Sequence, residues 1–112
     1  MIRQQEYNEG EDVLPSGELG KGFCILEEGE LEVIRDDRVI SSIDKAGSIF
    51  GELSEILGMK RDATIRAKKK SKVRHVEESI SDIVSKNPKV AIKLIRTLGR
   101  RLYRMNQIAT RG

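Results

Sequence analysis

Residues 50–67 read FGELSEILGMKRDATIRA, and the rest of the chain is understood from this run. Gly51-Glu52 opens one short helical turn that sets Leu53, Ile56 and Leu57 on a common apolar face. Gly58 stops the helix, because a residue without Cβ takes the left-handed conformation at a C-terminus without steric cost. Arg61 follows in a loop, and residues 63–67 read as a strand. This arrangement suits a small anion. The first turn of a helix has backbone N–H groups without intrahelical acceptors, and their partial positive charge favours a phosphate. Arg61 adds two parallel charge-assisted hydrogen bonds. Glu52 is too negative to face the phosphate itself and suits a sugar hydroxyl one group further along a ligand.

The setting of this run is a chain of 112 residues, enough for one core and one domain. A 38% hydrophobic share beside 35% charged residues fits a globular domain with a well-charged surface. No apolar run approaches the roughly 20 residues that cross a bilayer. The start MIRQQE has no apolar signal-peptide core, so a cytoplasmic location is expected, with no membrane partner. Cys24 is the only cysteine, which excludes an intrachain disulfide; between Phe23 and Ile25 it reads as a buried thiol. One Cys and the single His75 do not make a zinc site, and no metal is expected. No Ser/His/Asp set or other catalytic constellation is visible, so the chain is not expected to be an enzyme.

Outward from the run, the first half is punctuated by turns. Gly10 lies between extended flanks, Pro15-Ser16-Gly17 and Gly20-Lys21-Gly22 are turn signals, and residues 23–26 form a compact strand. Glu28-Gly29 turns into residues 31–34, where Leu31 and Val33 alternate with Glu30 and Glu32; Asp36-Asp37 turns again into residues 39–43. Strands of this length and spacing predict a compact β-roll or barrel rather than a βαβ fold. Residues 72–76 supply a last strand. Ser79 then caps a short helix over Ile80, Ile83 and Val84, and Asn87-Pro88 starts a long helix to about Ala109. On that helix Ala91, Ile95, Leu98, Leu102, Met105 and Ala109 form a heptad-type seam, while Val90, Ile92 and Leu94 cover another part of the surface. Two apolar faces call for two partners: the helix's own β-roll and a second copy of the helix about a two-fold axis, hence a homodimer through residues 87–109. Gly99 weakens the helix and leaves room for a close neighbour.

Charge is divided along the chain. Glu27, Glu28, Glu30 and Glu32 make the first half acidic; Lys68, Lys69, Lys70, Lys72, Arg74, Arg100, Arg101 and Arg104 make the second half basic. The run at 68–74 has no interleaved aromatic residue, and lysines on a strand edge discourage sheet-to-sheet pairing. A solvated edge is therefore preferred to a nucleic-acid surface.

Gly51-Glu52-Leu53, about eight residues, then Arg61-Asp62-Ala63-Thr64 resembles the phosphate-binding cassette of cyclic nucleotide-binding domains, the family of catabolite-activator-type proteins and kinase regulatory subunits. Tyr7, Gly10-Glu11, Gly17-Glu18, Gly20, Phe23-Cys24-Ile25 and Gly29-Glu30 follow the family order, so the resemblance covers nearly the whole chain. It departs at the N-terminus, where the helical segment that usually precedes the β-roll is missing or short. The resemblance implies a mainly β fold with C-terminal helices. An antiparallel β-roll of double-stranded β-helix or jelly-roll type spans residues 1–77, with the cassette at 50–67. The helices at 79–109 serve as lid and dimer element. It implies cAMP or cGMP as ligand and no other cofactor. Glu52 then meets the ribose 2′-hydroxyl and Arg61 the cyclic phosphate. Gly51, Leu53 and Ser54 supply the turn and backbone donors, and Asp62, Ala63 and Thr64 border the phosphate. Arg100-Arg101-Leu102 with Met105-Asn106 matches the helix that closes over the base, with Arg101 bracing Glu52 and Asn106 at the purine edge. Such a module is expected to stand alone here, without the helix-turn-helix domain of transcription factors, and to relay its ligand state to a downstream protein through its last helix.

Asp62 is the departure that matters, because the family usually has a small or hydroxyl residue after the arginine. A carboxylate some 4–5 Å from a phosphate, at an effective dielectric near 20, costs on the order of 3–4 kcal/mol, more than a hundredfold in affinity. Pointing to water, it costs a fraction of this. The two orientations predict, respectively, a dimerisation module with a blocked pocket and a working sensor; the intact Glu52 and Arg61 favour the sensor.

Overall fold

Turn residues at short intervals cut the first three quarters of the chain into short strands, as an antiparallel roll or barrel requires. The computed structural model describes the backbone of residues 1–111 and the side chains of residues 1–107. Its strands are β1 (Ile2–Tyr7), β2 (Asp12–Leu14), β3 (Phe23–Glu28), β4 (Leu31–Arg35), β5 (Arg38–Ile43), β6 (Ile49–Phe50), β7 (Thr64–Ala67) and β8 (Ser71–Val76). Helix α1 (Glu52–Leu57) stands between β6 and β7, and α2 (Ile80–Lys86) and α3 (Pro88–Arg111) follow β8. The strands form two four-stranded sheets, ordered β1-β8-β3-β6 and β2-β7-β4-β5, with every pairing antiparallel. The mainly β, antiparallel roll with C-terminal helices expected from the sequence is the fold observed. A first compact unit comprises Met1–Ile80, and a second begins at Ser81.

In the first unit, inward residues of both sheets meet in one core. Leu26, Leu31 and Val73 have no exposed surface, and Tyr7, Val13, Leu14, Cys24, Phe50, Ile65 and Ala67 pack with them. Residues from β1, β3, β6 and β8 of one sheet thus interdigitate with those from β2, β4 and β7 of the other. At the β4–β5 turn, Asp36 and Asp37 both take positive φ, 52° and 60°, between the paired Arg35 and Arg38. That is the twist a two-residue hairpin needs, and a short acidic side chain tolerates it.

One polar chain runs through this core. The Tyr7 hydroxyl lies 2.7 Å from His75 Nε2, and Cys24 Sγ lies 3.3 Å from His75 Nδ1, all three residues being buried. Burial holds the His75 pKa below its ordinary value, with the Arg3 charge acting in the same direction. Burial likewise pushes the Cys24 thiol up to about 12. Cys24 is a neutral buried thiol, which suits a packing role rather than a reactive one.

Two strands lie outside the sequence pattern. β1 carries IRQQEY with only its final Tyr7 buried, because it is an edge strand paired on one side to β8. β6 is only two residues long, although Ile49 and Phe50 are both buried. The apolar face expected on α1 also differs. Leu53, Ile56 and Leu57 are exposed, while Glu52 and Ser54 are the buried members of the helix. A six-residue helix hung between two turns is held here by polar contacts, described below.

In the second unit, the Asn87 carbonyl accepts hydrogen bonds from the N–H groups of Val90 and Ala91, and Pro88 takes the first helical position of α3. Ile83, Ala91 and Leu94 are buried. The seam read from the sequence is not buried along its length: Ala91 is covered, Leu98 is half-buried, and Ile95, Leu102 and Met105 are exposed. Leu94, assigned to the other apolar set, is the most buried residue of α3. Heptad spacing fixes which residues align on a helix, whereas coverage is decided by what packs there. Ala109 lies outside the described side chains.

Candidate functional site

Gly51 turns the chain from β6 into α1 with a left-handed φ of 77°. A side chain there would be strained by the backbone alone, and a Cβ would also stand 2.7 Å from Leu14 Cδ1. No side chain caps the start of α1, so its first-turn N–H groups are left to other acceptors. Gly58 ends the helix in the left-handed conformation, φ 63°, with its N–H donated to the Ser54 carbonyl.

The cassette is fastened to the loop at residues 15–22. Ser54 Oγ accepts the Gly20 N–H at 2.7 Å and donates to the Met59 carbonyl at 2.6 Å. A Glu55 carboxylate oxygen accepts the Gly22 N–H at 3.1 Å. Further on, the Arg61 N–H donates to the Glu18 carbonyl at 2.9 Å, and the Gly17 N–H donates to the Arg61 carbonyl at 2.7 Å. Thr64 Oγ1 accepts the Ser16 N–H at 3.2 Å.

These bonds place the Arg61 side chain. Its Nη1 donates to the Gly51 carbonyl at 2.9 Å, and the guanidinium lies in a slot against Gly20, where a Cβ would stand 2.0 Å from Nη2. Arg61 is half-buried, and among the described residues no carboxylate forms an ion pair with it. Glu52, next to the turn glycine, is 2% exposed. The cassette therefore places a fixed cation and a buried carboxyl side chain at the two ends of one turn of chain.

Asp62 points away from this arrangement. Its side chain is 78% exposed, and its carboxylate lies 3.1 Å from Arg35 Nη2 at the end of β4. Ala63 and Thr64 are half-buried and Leu53 is exposed. Arg101 and Asn106 belong to α3 in the second unit, half-buried and exposed respectively. Sequence reasoning missed Gly20, Glu55, Arg35 and the side-chain role of Ser54. The only signal was the Gly20-Lys21-Gly22 doublet, which reads as a turn and here is also a point of close approach. Among the described residues no group of His, Cys, Asp and Glu is arranged to hold a metal ion.

An antiparallel roll of two sheets with an arginine-bearing turn inserted between its strands defines a β-roll module carrying an anion-suited cassette. The chain belongs to the cyclic nucleotide-binding domain family, whose model, described as Cyclic nucleotide-binding domain, matches residues 4–86. The cyclic nucleotide-gated channel alpha-2 of Bos taurus is 36% identical over 73 residues, which is 59% of this chain and 11% of the channel. The chain thus spans about a tenth of the length of that curated relative, the share being 11%. A solved structure described as Sp-2Cl-cAMPS bound to PKAR CBD2 is 32% identical with a TM-score of 0.64, over 88% of this chain and 72% of that one. The catabolite activator protein of Thermus thermophilus has a TM-score of 0.79 at 22% identity, over 95% of this chain and 52% of that one, a likeness of fold.

Proposed function

We propose that this chain is a regulatory, non-catalytic module that binds a cyclic purine nucleotide, cAMP or cGMP, and relays its presence through α3 to a downstream protein. The observation that carries the reading is Arg61: a half-buried guanidinium, fixed by the Gly51 carbonyl and the Gly20 slot, with no ion-pair partner among the described residues. Holding an unneutralised cation partly out of water is unfavourable unless an anion comes to it. In this reading Arg61 takes the cyclic phosphate together with the N–H groups of residues 52–54, and Glu52 accepts the ribose 2′-hydroxyl. Arg101 and Asn106 complete the site from α3, and the module pairs as a homodimer through residues 87–109. Support comes from the family and from a relative solved with a cyclic nucleotide analogue. Calorimetric titration with cAMP and cGMP tests it: one of them binds with micromolar or tighter affinity, and Arg61→Ala abolishes the heat. Absence of heat with both nucleotides on the folded protein sinks the reading.

The alternative is a dimerisation module blocked by Asp62. The exposure of Asp62 and its pairing with Arg35 speak for the sensor. The basic residues at 68–74 are ion-paired on the surface but do not lie on a sheet edge as expected: Lys68 and Lys70 stand in the β7–β8 turn, and Lys72 and Arg74 on β8, which pairs with β1 on one side and β3 on the other. Lys68 meets Glu30 at 3.2 Å, Arg74 meets Glu27 at 3.3 Å, and Lys70 and Lys72 stand 3.9 Å from Glu6 and Glu28.

A further inference from the structure

Charge is segregated between the two units more sharply than the net +3 suggests. Residues 1–80 carry 13 Lys or Arg against 17 Asp or Glu, a formal −4; residues 81–112 carry 8 against 1, a formal +7. The single acidic residue of the second segment is Asp82, so α3 contains no carboxylate at all. At 3.6 residues per turn, Lys89, Lys93, Arg96, Arg100 and Arg104 fall within an arc of about 80°. All five are exposed, and none has an ion-pair partner among the described residues. Lys68 and Lys70 of the β7–β8 turn and Lys72 and Arg74 of β8, by contrast, each face a glutamate.

Helix stability does not account for this stripe. Cations are favoured in the last turn of a helix and disfavoured in the first, where Lys89 stands. The pairs Lys89/Lys93, Arg96/Arg100 and Arg100/Arg104 are like charges four residues apart, which repel. The stripe also carries a notch. Gly99 has open space where a Cβ would be, and Arg96, Arg100, Tyr103 and Arg104 line a shallow open cleft around it. Three guanidiniums and an exposed phenol around a bare floor offer bidentate donors to phosphate oxygens and a ring on which a base can stack.

We infer that the basic stripe of α3, from Lys89 to Arg104, binds the phosphate backbone of a nucleic acid. A bilayer fits less well, because Ala91, Leu94, Leu98, Leu102 and Met105 occupy another arc of about 80° nearly opposite the stripe. A helix laid on lipid by those residues turns its cations away from the headgroups. A second copy would bring a like-charged stripe. The nucleic acid thus takes the basic face and leaves the apolar face to protein contacts.

The test uses the full chain and a fluorescently labelled duplex DNA of roughly 20 base pairs, titrated by anisotropy at several salt concentrations. Log affinity falls linearly with log salt, and the triple variant Arg96→Gln, Arg100→Gln, Arg104→Gln shallows the slope by about 0.9 for each phosphate that it no longer neutralises. Its affinity in low salt drops at least tenfold. The triple arginine-to-lysine variant keeps the slope, which separates charge from damage to the helix, and Lys68→Gln with Lys72→Gln and Arg74→Gln leaves the binding unchanged. No binding in low salt, an unaltered slope in the glutamine variant, or tighter binding to phosphatidylserine vesicles than to the duplex overturns the inference. Because the duplex titration contains no cyclic nucleotide, its failure is distinct from failure of the sensor reading.

Discussion

Gly20 decides where Arg61 can be, although the two stand far apart in sequence. With a Cβ at Gly20 only 2.0 Å from Arg61 Nη2, the flexible end of the arginine yields rather than the backbone. Gly20→Ala is therefore expected to weaken nucleotide binding tenfold or more, about 1.4 kcal/mol, while the melting temperature moves by only a few degrees. Calorimetry paired with a thermal melt checks it, and unchanged affinity means the slot does not hold the guanidinium. Asp62→Ala should alter affinity little, since an exposed pair such as Asp62–Arg35 contributes about 0–1 kcal/mol and the carboxylate faces water. His75 gives a pH dependence of known sign. Its folded pKa lies below the ordinary 6.5, so the unfolded chain binds the proton more readily. Stability is full above pH 6.5 and falls as the pH drops below it. The half-buried Glu77, whose pKa is held down by its hydrogen bond from Arg3, adds a second loss as the pH falls below its ordinary 4.5. Melts of the natural chain and of His75→Gln from about pH 3 to 8 separate the two; the same slope in both just below pH 6.5 means His75 is not the group responsible. At this scale the turn at Gly51, with Glu52 after it and Arg61 beyond the helix, was legible because motif spacing carries it. The direction of Asp62 and the slot at Gly20 were not, since both depend on residues brought near only by folding.

For the elements, legibility followed the strength of the apolar pattern. β3, β4, β5 and β8 were found within two residues of their ends, because turn residues bracket runs of apolar and β-branched side chains; β5, with no buried position, was marked by its turns alone. β1 was invisible as a strand, since an edge position lets nearly every side chain face water. α1 was placed correctly by its two glycines, yet its means of attachment was misread, because periodicity registers apolar faces and not hydrogen bonds. Ser54 is the attachment. Ser54→Ala removes the acceptor of the half-buried Gly20 N–H and the donor to Met59, and should cost about 1–3 kcal/mol in denaturant unfolding. A loss under half a kcal/mol, roughly the noise of such measurements, would show that the staple is dispensable. On α3 the expectation runs the other way. Gly99 faces open space in a helix interior, so Gly99→Ala should stabilise the helix by about 1 kcal/mol.

Taken whole, the chain joins an acidic β-roll to a basic helical segment, and among the described residues no helix is long and apolar enough to cross a membrane. Its fold class could be read from turn spacing, and its family from one cassette, because both are local patterns. What packs on the helices is a property of assembled surfaces and leaves no such trace. A nucleotide that binds only the folded chain adds about 2.7 kcal/mol of apparent stability at a hundredfold excess over Kd, so a thermal-shift panel of cyclic mononucleotides should single out the ligand. The Ser54–Gly20 bond spans 34 positions of sequence, and Arg61 is held from Gly17 and Glu18 as well. The arrangement proposed to cradle a ligand thus comes into being only after a long loop has closed, an entropic step that non-local contacts must await. A ligand that recognises the closed cradle acts after the folding barrier: it should slow unfolding in stopped-flow experiments and leave the refolding rate as it was.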